Sequence, residues 1–481
     1  MAPMNNDVPE LLRHSAPALA RLLAGGQVSA VELMQACLAR IAAVNPAHNA
    51  IISQLPEELV LAEAAASDAR RRAGTPRGVL EGLPIAFKDT TATQGIRTTW
   101  GSPLFRDHVP AADSIAAGRI RAAGAIPLGK TNVPEFGLGS HSYNQVFGVT
   151  RNAWNPALSA GGSSGGAAVA LARRMVPLAD GSDFGGSLRN PAAWNNLFGF
   201  RPSQGRVSYG PNEDAWYSQM GTEGPMGRTV EDLMFLLAVQ AGPDARAPLA
   251  LPAEPGLGLA GLEADVAGRR ILWLGDLGGH LAFEAGILPL CEAALAVFAG
   301  LGCGVATEAP TFDWEALWQG FIALRHYELG GKLNTAFEDP AKRALMKPEL
   351  VWEIEGFRRL TAAGLHRAAC TRTACLNTML AAFETHDALA LPTAQVFPFP
   401  VEQHWPQHIG NRAMDSYHRW MEVTALGTML GCPTATVPVG FDAQGRPMGM
   451  QVLGRPGADL ATLQLARAYE RATPWAARSP G

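Results

Sequence analysis

The stretch Gly161-Gly162-Ser163-Ser164-Gly165-Gly166 runs directly into Ala167-Ala168-Val169-Ala170-Leu171-Ala172. Taken alone, such a glycine-serine run is a flexible linker. A linker does not open an apolar helix. Nor is it followed by a second Gly-Gly-Ser, which stands 24 residues on from Ser163 in Asp183-Phe184-Gly185-Gly186-Ser187-Leu188-Arg189. Glycines without a Cβ let the backbone turn N–H groups inward and approach a substrate closely. Upstream, Leu83-Pro84-Ile85-Ala86-Phe87-Lys88-Asp89 puts a lysine at the end of a short apolar run. A nucleophilic serine needs a base, a proton relay and donors aimed at an oxyanion. These three segments can supply all of them without a histidine or a metal.

Around them, short apolar runs alternate with helical patterns. Strands are expected at Pro84 to Phe87, Ala125 to Gly129, Val176 to Ala179, Ile271 to Leu274 and Ala388 to Pro392, with a pair at Thr434 to Val439 and Met448 to Leu453. Helices are expected at Leu11 to Leu23, from the Ser29/Glu32 capping box to Asn45-Pro46, and at Leu61 to Ala73, Ser114 to Ala123, Ala167 to Arg174, Thr229 to Val239, Phe283 to Leu301 and Leu460 to Arg471. Residues 313–385 read as mostly helical. Gly242 to Ala260, rich in Pro, Gly and Ala, reads as a loop. The alternation means an α/β fold with a sheet covered on both faces.

In order and spacing, Lys88, Ser163 and Ser187 with their glycines resemble the amidase-signature family, whose members use a Ser-Ser-Lys triad. The likeness is densest from Gly82 to Arg228 and returns near the C-terminus. It implies one large domain over 1–481 built on a mixed central β-sheet. Within it, 75–235 would be the catalytic core segment, 242–420 a more variable and mostly helical segment, and 421–475 the return to the sheet. It implies Ser187 as nucleophile, Ser163 as proton relay behind a cis Gly162–Ser163 peptide, and Lys88 as base. The backbone N–H groups of Phe184, Gly185, Gly186 and Ser187 would form the oxyanion hole. A lysine at its ordinary pKa of ~10.4 cannot accept a proton at neutral pH, so this role requires burial. Glu135 follows a segment similar to one beside the family's pocket, and Gly137 is expected to line that pocket. Asp183 and Arg189 read as groups bracing the loop. Ala153, Phe184 and Asn190 depart from the family pattern; the last two are expected to shape the pocket. Trp216, Tyr217 and Met220, with Phe397, Phe399 and Trp405, are candidate apolar pocket residues, equally consistent with packing.

The remaining signals are exclusions. Hydrophobic residues make up 47% and charged residues 17%, which suits a buried core rather than disorder. With net charge −4 and no basic block longer than Arg70-Arg71-Arg72, no nucleic-acid partner is expected. Six scattered cysteines without a C-x-x-C pair read as reduced thiols of a cytoplasmic protein. Residues Met1 to Glu10 carry no apolar signal core, and no run is long enough to span a membrane. His404 and His408 flank Pro406 and so do not share a helix face; no metal and no cofactor are expected. The expected partner is a small amide substrate, and a homodimer is left open. Two enzymatic alternatives remain. Gly161 to Gly165 also satisfies the G-x-S-x-G elbow of α/β-hydrolases, which would make Ser163 the nucleophile, but Asn155, Pro156 and Ser159 occupy the place of the strand that motif needs. An amidotransferase A-type subunit using glutamine shares the triad, yet that subfamily's tyrosine-rich segment is absent from 360–385. A non-enzymatic scaffold is disfavoured by the intact triad.

Overall fold

The computed structural model describes residues 8–480; the residues 1–7 and the absence of a signal core read there lie outside the described residues. One mixed eleven-stranded sheet runs through the chain. Across it, the strands are Ile51–Ile52, Ile126–Thr131, Pro84–Lys88, Leu178–Asp183, Thr222–Gly227, Phe198–Arg201, Thr434–Phe441, Pro447–Gly454, Ala388–Pro392, Arg270–Trp273 and Gly304–Thr307. The three strands at 84–88, 126–131 and 178–183 run parallel. So do those at 388–392, 270–273 and 304–307. An antiparallel run joins the two groups. Strands from both ends of the chain share this sheet, so the fold is a single α/β domain.

The parallel strand Pro84–Lys88 is buried along its whole length, as a strand covered on both faces must be. The helix Gly165–Ala172 is also buried throughout and packs on the strands at 84–88 and 178–183. Its small residues permit that approach: a Cβ on Gly166 would lie 2.7 Å from Ala50 O, inside van der Waals contact. The Ser29/Glu32 capping box is formed, and Leu33, Cys37, Ile41 and Val44 all turn into the core. Among the described residues no helix is long and apolar enough to cross a membrane.

Several boundaries differ from expectation. The helix predicted at Leu11 to Leu23 is split into Glu10–Arg13 and Ala16–Ala24, because Ser15 caps a new start by accepting from Ala18 N. The helix Ala30–His48 passes through Pro46, since a proline near the last turn forfeits only one backbone bond. The long helix begins at Ile287, after Gly286 at φ 97°. The strand expected to end at Ala179 continues to Asp183 and delivers the chain straight to Ser187.

Candidate active site

Lys88 ends its strand with the side chain wholly buried. Its Nζ lies 2.8 Å from Ser163 Oγ, 2.9 Å from Ser182 Oγ and 3.3 Å from Ser182 O. Nζ donates to these three oxygens; as a neutral amine it can keep the two bonds to Ser182 and turn its lone pair to accept from the Ser163 hydroxyl. Burial lowers the amine from 10.5 to about 7, against the opposing pull of Asp180, Asp183 and Glu223. A protonated amine here would lack water to solvate it. Asp180 is fixed by the Lys88 N–H at 2.6 Å and the Thr91 hydroxyl at 2.7 Å.

The Gly162–Ser163 peptide is cis. Gly162 O accepts from Ser140 Oγ at 2.6 Å, and Asn190 Nδ2 donates to that same hydroxyl. Asn190 therefore braces the Ser163 peptide from behind. It does not line the cavity, contrary to expectation. Gly137 does line it. Its φ is +72°, and a Cβ there would stand 3.2 Å from Ser163 Oγ, so the position requires glycine on two counts.

The loop before Ser187 is organised by Asp183. Its carboxylate accepts from Gly186 N at 2.9 Å, Leu188 N at 3.0 Å and Arg189 Nη2 at 2.8 Å. Burial alone would raise this carboxyl; Arg189 and Arg201 overcome it and hold the group well below the usual range. Arg189 also donates to Thr424 O, Gln451 Oε1 and Thr428 Oγ1, tying the loop to the C-terminal return. The loop-bracing reading of Asp183 and Arg189 describes these contacts.

The carbonyls of the loop are held one by one. Asp183 O accepts from Arg201 Nη1 at 2.5 Å, Phe184 O from Thr428 Oγ1 at 2.6 Å, Gly185 O from Thr424 Oγ1 at 3.0 Å and Gly186 O from Asn190 N at 2.7 Å. In a trans peptide the N–H points opposite the C=O. The N–H groups of Phe184, Gly185 and Ser187 are thus directed away from those anchors. The fourth expected donor is corrected: the Gly186 N–H is already given to Asp183. No sequence pattern marks Thr424, Thr428 or Ser182, because each acts through a contact made only in the fold.

A cavity of about 460 Å³ opens onto Ser163 and Ser187. Trp100, Phe105, Phe136, Leu138 and Phe184 give it an apolar wall, and Arg325 adds a cation. Trp216 and Tyr217 are not in that wall. They are 64% and 73% exposed, held outward on a turn whose Asp214 accepts from both their N–H groups. Met220 is buried in the core. Phe397 and Phe399 are core residues, Trp405 packs against the same core cluster, and Phe399 meets Trp194 and Trp420 edge-on. Glu135 is buried beside the cavity, accepting from Ser102 Oγ and Lys347 N.

His404 stacks on Tyr143, and His408 sits in a separate short strand. A different group, His280, Glu315 and Glu422, brings three ligand-type atoms within 4.8 Å. Arg412 and Arg419 pair with its two carboxylates and already balance their charge.

The α/β-hydrolase elbow is not formed, since no strand leads into Ser163. A family model described as Amidase matches residues 32–463. An acylamidase of Rhodococcus erythropolis is 34% identical over 475 residues, covering 97% of each chain. The A-type subunit of the glutamyl-tRNA(Gln) amidotransferase of Symbiobacterium thermophilum is 36% identical over 492 residues, covering 95% of this chain and 96% of its own. The crystal structure of a bacterial aryl acylamidase superposes with a TM-score of 0.91 at 29% identity, covering 96% of both chains.

Proposed function

This chain belongs to the amidase family, and from that premise we propose that it hydrolyses a carboxylic amide to acid and amine or ammonia through an acyl-enzyme on Ser187. The observation that carries the reading is the buried Lys88 amine, lowered to about 7, with Ser163 Oγ 2.8 Å away. Neutral Lys88 takes the Ser163 proton as Ser163 takes the proton of Ser187. The Ser187 oxygen attacks the amide carbonyl, and the resulting oxyanion is held by the N–H groups of Phe184, Gly185 and Ser187. The proton returns through Ser163 to the departing nitrogen as the C–N bond breaks. Water, activated by the same relay, then cleaves the acyl ester and frees Ser187. The apolar wall favours acyl amides with a sizeable hydrophobic part, in keeping with the acylamidase relatives. Five of the six free cysteines are buried, which fits a reducing compartment such as the cytoplasm.

A second reading, as the glutamine-using component of an amidotransferase, is favoured by the 36% identity to the Symbiobacterium protein. The predominantly apolar cavity supports the stand-alone amidase over it. An assay on simple amides without partner proteins separates the two.

The central test is Ser187→Ala. The variant should fold and lose turnover, because removing a serine nucleophile costs up to ~10⁶-fold in kcat. A fluorophosphonate should label Ser187 in the unaltered enzyme. Activity within about tenfold of wild type, or an adduct on Ser163, would sink the assignment.

A further inference from the structure

Arg325 closes the helix Trp314–Arg325, where the chain passes into a π-helical turn, His326–Gly330. Such turns recur at functional sites. The side chain is 5% exposed, and what remains accessible faces the cavity that holds Ser163 and Ser187. Two of its nitrogens are used. Nε donates to Glu353 Oε1 at 2.7 Å, and Nη2 donates to Tyr417 Oη at 2.9 Å. The guanidinium lies 5.2 Å from the centre of the Phe184 ring. Nη1 has no hydrogen-bond partner among the described residues, and a Cβ built on Gly185 would lie 4.0 Å from it. A permanently charged donor therefore stands unused beside the oxyanion loop.

We propose that Arg325 Nη1 recognises a second, neutral acceptor on the substrate, a carbonyl oxygen separate from the scissile one. The inference rests on the amidase reading and narrows it to amides such as diamides and dipeptide amides. The preference for a neutral group comes from charge balance. Glu353 accepts from Arg325, from His326 Nδ1 at 2.8 Å and from Tyr417 Oη at 2.5 Å. Burial would raise its carboxyl, but Arg325 and His326 hold it down at about 2. The Arg325 charge is thus already matched. A substrate carboxylate would bring an unbalanced negative charge into a largely apolar cavity, whereas a carbonyl gains a charge-assisted bond without that cost. Of the other charged residues lining the cavity, Asp183 is already paired with Arg189 and Arg201, and Glu213 and Lys332 are exposed and of opposite sign.

The test compares two acyl amides of equal size, one with a ketone or amide carbonyl in the acyl chain and one with methylene there, and a third with a terminal carboxylate. The carbonyl substrate should exceed the methylene one by about ten- to a hundredfold in kcat/KM, the range of a hydrogen bond to a charged donor. In Arg325→Lys that ratio should fall towards one, because a point-charge ammonium cannot span Glu353, Tyr417 and the cavity together. In Glu353→Gln, which unbalances Arg325, preference should move from the carbonyl to the carboxylate substrate. Calorimetric binding of the same three amides to Ser187→Ala gives the ranking without turnover. Ratios near one in the unaltered enzyme, or a ratio unchanged by Arg325→Lys, overturn the inference. A preference for the carboxylate in the unaltered enzyme overturns its neutral-acceptor part. Hydrolysis of none of the three, with the binding order intact, would instead count against the amidase reading and leave the Arg325 contact upheld.

Discussion

Replacing Lys88 by methionine tests the buried amine through its effect on stability. In the unfolded chain this lysine stays protonated to about pH 10; in the fold burial brings it to about 7. Between those values the folded protein binds fewer protons than the unfolded one. The destabilisation caused by the lysine is therefore full below about pH 7 and fades as pH rises towards the unfolded value. Linkage puts it at about 5 kcal/mol at pH 6 and about 2 kcal/mol at pH 9. Methionine is similar in length and does not titrate. It leaves the Ser163 and Ser182 hydroxyls without their nitrogen partner, a loss of about 1 kcal/mol each that does not vary with pH. The stability of Lys88→Met relative to wild type should thus drop by about 3 kcal/mol between pH 6 and pH 9. Urea unfolding at both pH values, with equal m for the two proteins, measures it. A pH-independent difference would refute the lowered pKa. That outcome would mean that the folded state holds Lys88 as a cation across this range, with both states equally protonated.

The same titration should govern rate. With a substrate that does not itself ionise, kcat/KM should rise with pH along a limb near pH 7, and Lys88→Arg should be inactive because a guanidinium stays protonated; near-normal activity in that variant removes Lys88 as the base. Gly137→Ala should lose about 1–2 kcal/mol of stability from its positive φ and about a hundredfold in kcat as Ser163 is displaced, measured by denaturation and steady-state kinetics; an unchanged kcat would show that Ser163 tolerates the methyl. Thr428→Val should lower kcat tenfold or more while KM changes little, because the Phe184–Gly185 peptide is freed to turn. A raised KM at unchanged kcat would place Thr428 in substrate binding instead.

The elements most legible in the sequence are those with local causes. The Ser29/Glu32 box, the apolar strand before Lys88 and the Ala388–Pro392 strand each follow from residues a few positions apart. The Thr222–Gly227 strand escapes sequence reading for a physical reason. Thr222-Glu223-Gly224-Pro225-Met226-Gly227 has two glycines and a proline, a composition that argues against a sheet interior. The fold overrides it because the strand is paired on both sides, with 178–183 and with 198–201. Gly224 helps to fit it there: a Cβ at that position would lie 2.7 Å from Phe200 O.

The site divides along the same line. Lys88, Ser163, Ser187 and Gly137 belong to short segments whose backbone needs leave marks in the sequence: glycine at a positive φ, or an apolar run ending in a charge. The cavity wall leaves no such mark. Phe184, three residues before Ser187 and expected to shape the pocket, is the exception; Trp100, Phe136 and Arg325 come from distant parts of the chain, where nothing in the local pattern marks them. Beyond Phe184, closeness in sequence to Ser187 is a poor guide for that reason. Trp216 and Tyr217 lie about thirty residues past Ser187 yet point into solvent, because the Asp214 turn that carries them reverses outward. Arg325, well over a hundred residues away, reaches the oxyanion loop because its helix packs Phe321 against Phe184. Local backbone geometry thus marks Lys88, Ser163 and Ser187 in the sequence, whereas most of the wall around them is assembled by long-range packing and is visible only in the fold.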